Sequence, residues 1–233
     1  MRLTNRTAVI TGATRGIGAA VAEQFAAEGA HVILVGRTQG GLEETDDRVR
    51  EAGGTATLVP ADLTDFDAID NLGAAIAERW GNLDILVGNA GTLGSLGPLG
   101  HTTPATWEEV FALNVTVNWR LIRSFDALLR NSDAGRAIFV TSGAASRVLP
   151  YWGAYSASKA ALESMAKVYA AEVATTNIRV NLLDPGATRT QMRAQAMPGE
   201  DPQILKAPED ISELFVELAE PNCRRNGEII RAD

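Results

Sequence analysis

The chain has 233 residues, 45% hydrophobic side chains, and 21 Lys plus Arg against 29 Asp plus Glu, for a formal net charge of −8. That acidic balance argues against a polyanionic partner, whether nucleic acid or an anionic membrane surface, and no run approaches the ~18 apolar residues of a membrane span. A single cysteine, Cys223, rules out an intramolecular disulfide and a cysteine-rich metal site, and two distant histidines, His31 and His101, argue against a histidine-based one.

Met1 to Arg6 leads into the first strand without a signal-like apolar stretch, so a soluble, cytoplasmic protein is expected. Thr7–Thr11 reads as a buried strand, Gly12-Ala13-Thr14-Arg15-Gly16-Ile17-Gly18 as a turn, and Ala19–Ala26 as a helix. Strand, glycine turn and helix in succession form the context of a dinucleotide-binding loop, here with G-x-x-x-G-x-G spacing in place of G-x-G-x-x-G. Glycine lets the backbone turn sharply and approach a pyrophosphate, and the free amides of a helix N-terminus attract it. Gly12, Thr14, Arg15, Gly16, Ile17 and Gly18 are the candidate contacts; the alternative is a glycine-rich turn with no ligand.

His31–Val35 is the second strand, ending at Gly36-Arg37. A site for NAD usually carries an acid here for the ribose 2′-hydroxyl, whereas an arginine suits the 2′-phosphate of NADP. No acid follows before Glu43. Arg37 and Arg15 together therefore favour NADP over NAD, unless Arg37 is only a solvated strand end.

Leu42–Ala52 reads as a charged helix stopped by Gly53-Gly54, and Thr55–Pro60 as the third strand. Asp62, with Leu63 beside it, falls just past that strand, where it either accepts from an adenine amino group or, like Thr64, caps the next helix, Phe66–Trp80. Leu83–Val87 is the fourth strand. The small residues that follow it, Gly88-Asn89-Ala90-Gly91, let backbone pass under a ribose. Thr92–Thr103 is a loop with the look of a pocket wall. Trp107–Arg130 reads as one long helix, in which Asn114 is either a satisfied core residue or a holder of backbone or water.

Ala137–Val140 is a fifth strand ending near Ser142. Tyr155 and Lys159 then lie four apart at the head of a helix that runs to Thr175, on one face of it. A cation beside a phenol favours the phenolate and moves its pKa down from about 10. Ser142 could share a substrate oxygen with Tyr155. Ile178–Leu183 is the sixth strand, broken by Pro185-Gly186, after which Thr188 and Thr190 offer hydroxyls and amides to a carboxamide. Residues 191–207 show little periodicity and read as a mobile lid. Pro208–Ala219 is a helix and Gly227–Arg231 a last strand. Strands alternating with helices predict an α/β fold with a parallel, doubly wound sheet, in a single domain covering 1–233.

These pieces resemble the short-chain dehydrogenase/reductase family over nearly the whole chain. They stand in the family's order: Thr11-Gly12-x-x-x-Gly16-x-Gly18, Asp62, Asn89-Ala90-Gly91, Asn114, Ser142, Tyr155-x-x-x-Lys159, Pro185-Gly186 and Thr190, with Ser142 thirteen residues before Tyr155. The resemblance implies a Rossmann-type domain with seven parallel strands and a catalytic set of Asn114, Ser142, Tyr155 and Lys159. In it Tyr155 is the proton donor or acceptor and Ser142 orients the carbonyl or alcohol. Lys159 binds the nicotinamide ribose and lowers the Tyr155 pKa, and Asn114 fixes a water. The implied activity is NADP(H)-dependent interconversion of a carbonyl and an alcohol. The alternatives are an NAD-dependent member and a non-catalytic dinucleotide-binding redox sensor.

Two departures from the family pattern stand out: Gly88 replaces a common Asn, and the glycine-rich tail after the last strand is missing. The loops at Thr92–Thr103, Arg147–Trp152 and 187–207 carry mostly small and apolar residues, which points to a small, apolar substrate. The expected assembly is a homodimer or homotetramer, with the helices at Trp107–Arg130 and Tyr155–Thr175 wide enough in their apolar positions to form the contact.

Overall fold

The apolar runs become the strands of one sheet. The computed structural model describes residues 1–232. Its strands are β1 (Thr7–Thr11), β2 (His31–Gly36), β3 (Thr55–Pro60), β4 (Ile85–Gly88), β5 (Arg136–Val140), β6 (Arg179–Asp184) and β7 (Ile229–Arg231). The α-helices are α1 (Gly16–Ala27), α2 (Gln39–Glu51), α3 (Phe66–Trp80), α4 (Pro104–Phe111), α5 (Val117–Asn131), α6 (Gly153–Glu172), α7 (Gln191–Ala196) and α8 (Pro208–Ala219). The seven strands are ordered β3-β2-β1-β4-β5-β6-β7, and every pairing is parallel. The expected doubly wound sheet is present. No described helix is long and apolar enough to cross a membrane.

The two-residue period of the strands divides the core between the two faces. Val9, Ile33, Val35, Leu86 and Phe139 pack under α3, α5 and α6 with Ile69, Phe125 and Leu162. Their neighbours Ala8, Ile10, Val32, Leu34 and Ile138 pack under α1, α2 and α8 with Phe25, Leu42 and Phe215. Because both faces are covered, β1 is buried at every residue, as a parallel strand between two helix layers requires.

One expectation is corrected. The long helix at Trp107–Arg130 is not continuous: α4 begins at Pro104 behind a Thr103 cap and passes through a π-helical turn, Ala112–Thr116, before α5. Such turns accommodate one extra residue in the helix, and Asn114 sits in this one. Residues 191–207, read as a mobile lid, carry regular structure. They hold α7 and a short 3₁₀ turn at Pro202–Ile204. An Arg193–Glu200 ion pair of 2.6 Å and a bridge between Thr188 and Lys206 tie the segment down.

Opposite the carboxyl ends of the strands, buried arginines staple the loops. Arg6 donates to Asp84 at 3.0 Å, and the Asp84 carboxylate also accepts from the Thr7 amide and the Ser132 hydroxyl. Arg136 donates to the carbonyls of Glu220, Gly135, Asn177 and Pro221, so it caps the carboxyl end of α8.

Gly88 is explained by packing. A Cβ there would lie 2.3 Å from Asn118 Oδ1 and 2.5 Å from Phe139 Cδ1. Asn118, on α5, occupies that space: its amide donates to the Asn114 carbonyl at 2.9 Å, while its buried Oδ1 has no hydrogen-bond partner among the described residues. We expect Gly88→Asn to destabilise the protein by about 1–3 kcal/mol through overpacking. Asn118→Ala in the same chain should recover much of that loss. A double-mutant cycle in urea reads the coupling directly, and additive effects would remove Asn118 as the reason for Gly88.

Candidate active site

The site assembles at the carboxyl ends of β1 and β4, where the strand order reverses. Thr11 joins the two ends. Its hydroxyl donates to the Val87 carbonyl at 3.1 Å and accepts from the amides of Asn89 and Ala90, each at 3.0 Å. The Asn89 amide group returns to the carbonyls of Thr11 and Gly12 at 2.8 and 3.3 Å. Gly12 is left-handed (φ +66°), and a Cβ on Gly18 would fall 2.3 Å from the Gly12 carbonyl oxygen. The motif's glycines thus let the loop fold back over the start of α1. That helix begins at Gly16, three residues earlier than the sequence reading placed it, so Gly16, Ile17 and Gly18 present amides of its first turn. Thr14 packs on Gly36 and Gly41, each of which would clash with it if it carried a Cβ. Thr45, which the sequence reading missed, donates from α2 to the Ala13 carbonyl at 2.8 Å.

Arg15 and Arg37 are both exposed at this loop, and neither has an ion pair among the described residues. Asp62 is exposed nearby. It does not cap α3, whose N-cap is Asp65; its Oδ1 accepts from the Thr64 amide and hydroxyl at 2.9 and 2.7 Å. Those two bonds, with Arg37 as a smaller contributor, hold its pKa below the ordinary carboxylate value. Leu63 beside it is buried.

Ser142 follows β5, and Tyr155 and Lys159 lie in the first two turns of α6. The Ser142 hydroxyl accepts from the Ala144 amide at 3.2 Å and lies near enough to the Tyr155 phenol to oppose the rise in its pKa. Lys159 is buried, its Nζ donating to the Val140 carbonyl at 2.8 Å, and it sits 5.8 Å from the centre of the Tyr155 ring. Asn114 is fully buried and satisfied: its amide exchanges two hydrogen bonds with the Thr92 backbone, at 2.8 and 2.9 Å, and donates to Ser158 at 3.0 Å. Ser158 was not anticipated, because nothing in its spacing marks it. A Cβ on Gly91 would lie 3.1 Å from Asn114 Oδ1 and 3.6 Å from Lys159 Nζ, which places Asn89-Ala90-Gly91 against the same group.

One electrostatic expectation fails in this structure. Burial pushes the Tyr155 phenol above its ordinary pKa; the Ser142 hydroxyl opposes the shift and the Asp184 carboxylate adds to it. Lys159, whose Nζ donates to the Val140 carbonyl, does not offset that burial, and burial lowers its own pKa to about 8. Asp184, buried at the end of β6, was also missed. The signal was an acid directly after the buried pair Leu182-Leu183.

Pro185 and Gly186 make the turn after β6, with the Gly186 amide donating to Asp184 at 3.1 Å. The Thr188 hydroxyl closes this turn on the Pro185 carbonyl at 2.9 Å, and the Thr190 hydroxyl accepts from the Arg193 amide as the cap of α7. Both hydroxyls therefore already have partners, and the backbone amides are what they leave for a carboxamide. Around Tyr155 the three pocket loops meet: Leu93, Leu96, Ala144, Trp152, Met192 and Ala196 form one apolar cluster with it, and the Trp152 ring stands edge-on at 5.9 Å.

The family model described as short chain dehydrogenase matches residues 6–201. An uncharacterised oxidoreductase of Escherichia coli, YciK, is 37% identical over 96% of this chain and 89% of its own length. The 2,3-dihydro-2,3-dihydroxybenzoate dehydrogenase of Bacillus subtilis is 37% identical over 80% of this chain and 71% of its own length. A short chain dehydrogenase from Shigella flexneri, complexed with NADP, superposes with a TM-score of 0.93 at 36% identity, covering 99% of this chain and 98% of its own.

The buried Lys159 predicts a pH dependence. With a folded pKa of about 8 against an ordinary 10.5, the folded state binds fewer protons than the unfolded one between those values. Its cost to stability is therefore full below about pH 8 and fades as the pH rises to about 10.5. Lys159→Met should be more stable than the native chain at pH 7, by on the order of 3 kcal/mol, with the advantage fading by about pH 10.5. Urea midpoints of both proteins, measured without cofactor across that range, check it; a difference that does not vary with pH would refute the assignment.

Proposed function

Because the chain belongs to the short-chain dehydrogenase/reductase family, we propose that it is an NADP(H)-dependent oxidoreductase interconverting a carbonyl and an alcohol on a small, apolar substrate. The observation that carries this reading is Tyr155, with Ser142 beside it and Lys159 one turn on, set in an apolar cluster with Leu93 and Ala144.

The residues present fit a dinucleotide. The glycine loop has no side chains where a pyrophosphate would lie against the start of α1, with Gly12, Thr14, Gly16, Ile17 and Gly18 offering amides and a hydroxyl. Arg15 and Arg37 supply cations for a 2′-phosphate. Asp62 and Leu63 flank the adenine, and Asn89, Ala90 and Gly91 its ribose. Tyr155 and Lys159 hold the nicotinamide ribose, and Pro185, Gly186, Thr188 and Thr190 the carboxamide. The NADP complex of the Shigella relative supports this choice of cofactor. The bound dinucleotide supplies or receives a hydride.

Tyr155 carries the proton. A phenol whose pKa is raised by burial keeps its proton, so it suits the donor role in carbonyl reduction. Ser142 holds the substrate oxygen against Tyr155, and Leu93, Trp152 and Met192 exclude water from the reacting centre. Asn114 positions the backbone at Thr92 and, through Ser158, the first turns of α6. The reading includes a homo-oligomer built on the α4–α5 segment and α6, whose Trp107, Trp119 and Val168 are exposed, and a cytoplasmic setting.

A screen of ketones and alcohols, followed by NADPH absorbance, is the first test. With an active substrate in hand, Tyr155→Phe should lower kcat by roughly two to four decades and leave NADPH affinity unchanged; native turnover in that variant would take Tyr155 out of the chemistry.

Cofactor choice is the second test. A charge-assisted contact from the Arg37 fork is worth about 1.5–3 kcal/mol, so NADPH should bind at least about tenfold tighter than NADH. Arg37→Asp should invert that preference by replacing an attraction with a repulsion. Fluorescence titration of both cofactors against both proteins decides it, and equal affinities in the native chain would mean that the 2′-phosphate is not read here.

A further inference from the structure

A cavity of about 320 Å³ opens at the amino ends of β5 and β6, at the end of the sheet opposite Tyr155. Arg136, Arg179 and Arg224 line it, together with Asn177 and the chain's single cysteine, Cys223. We propose that this cavity is a binding site for a small oxyanion of the phosphate type.

The charge pattern supports this. The protein carries a net charge of −8, yet three arginines line this one cavity. None of the three has a carboxylate within ion-pair distance among the described residues. The one acid on the rim, Asp133, is 82% exposed and pairs with Arg6. Arg136 is 3% exposed and has only carbonyl partners, so its positive charge stays in the protein without a counter-ion. Carbonyl dipoles and the carboxyl end of α8 offset part of that cost, and an anion would offset the remainder.

Capping α8 accounts for Arg136 alone. It does not account for Arg179, where only Nη1 is engaged, on the carbonyls of Thr176 and Ile178, at 2.8 and 2.6 Å. Nor does it account for Arg224, which has no hydrogen bond or ion pair among the described residues. A guanidinium with a free edge presents two parallel N–H donors, the geometry that matches two oxygens of a phosphate or carboxylate. The Asn177 amide, whose Nδ2 donates to the Ser132 carbonyl, forms the polar wall.

Cys223 makes the site observable without any enzyme assay, because it is half-buried in the same wall and is the only thiol in the chain. The experiment is alkylation of the native protein by neutral iodoacetamide, with inorganic phosphate titrated at constant ionic strength against chloride. Phosphate should slow the reaction, roughly tenfold at about ten times its dissociation constant, and chloride should not. Anion binding at the glycine loop leaves this readout untouched, since that loop lies at the other end of the sheet. In Arg179→Gln/Arg224→Gln the protection should be lost. Should that variant fail to fold, the native protein still gives a second reading. The rate ratio of anionic iodoacetate to iodoacetamide should be higher for folded than for urea-unfolded protein. No phosphate protection beyond that of chloride, protection undiminished in the double variant, or equal reagent ratios in folded and unfolded chain would each overturn the proposal.

Discussion

The hydroxyl of Thr11 takes part in three hydrogen bonds that join strands nearly eighty residues apart in the chain, and the candidate site depends on that junction. Parallel neighbours at a reversal of strand order diverge at their carboxyl ends, where their helices depart to opposite faces. At this reversal the ends of β1 and β4 are held by Thr11 on one side and Asn89 on the other. With the two ends fixed, the glycine loop has a floor. Gly12 turns over it, and Gly18 approaches so closely that even a methyl group would collide with the loop. Thr45 then pins the far side of the loop from α2. The loop is thus shaped before any ligand arrives, which limits the ordering cost of binding.

A second network carries this order to the reacting groups. The π-helical turn between α4 and α5 points Asn114 at the Thr92 backbone and at Ser158. Both amide functions of Asn114 are satisfied, so the cost of burying it is offset and the network is rigid. Through Ser158 it reaches the helix that carries Tyr155 and Lys159. Lys159 is the expensive member, a buried ammonium with one carbonyl partner. Strain of this kind, kept beside a phenol and a serine, is what an acid–base site tolerates and a purely structural core does not.

The two ends of the sheet differ in how they use polar residues. At the carboxyl ends, Thr11, Asn89, Asn114 and Ser158 bond the loop backbone and one another. At the amino ends, Arg6 with Asp84 and Arg136 with four carbonyls close the loops. The arginines that remain there, Arg179 and Arg224, stand out because the staples around them are otherwise complete.

The sequence by itself determined the alternation of strands and helices and several element limits to the residue, and it named the candidates for the site. Thr7–Thr11, Thr55–Pro60, Phe66–Trp80 and Pro208–Ala219 are all found as read. These features are legible because they depend on local rules: apolar period, glycine and proline breaks, and motif spacing. What only the tertiary structure decided were the partners that each polar side chain finds. Asp62 turns to Thr64, Thr190 to Arg193, Asn114 to Thr92 and Ser158, and Lys159 to Val140. The π turn and the order in residues 191–207 belong with them, as does the reason for Gly88. So does the direction of the Tyr155 shift, where burial outweighs the opposing Ser142 hydroxyl. Such outcomes depend on which groups from distant parts of the chain are brought within a few ångströms and how much water is excluded, and neither quantity is written in the spacing of residues along one strand or helix.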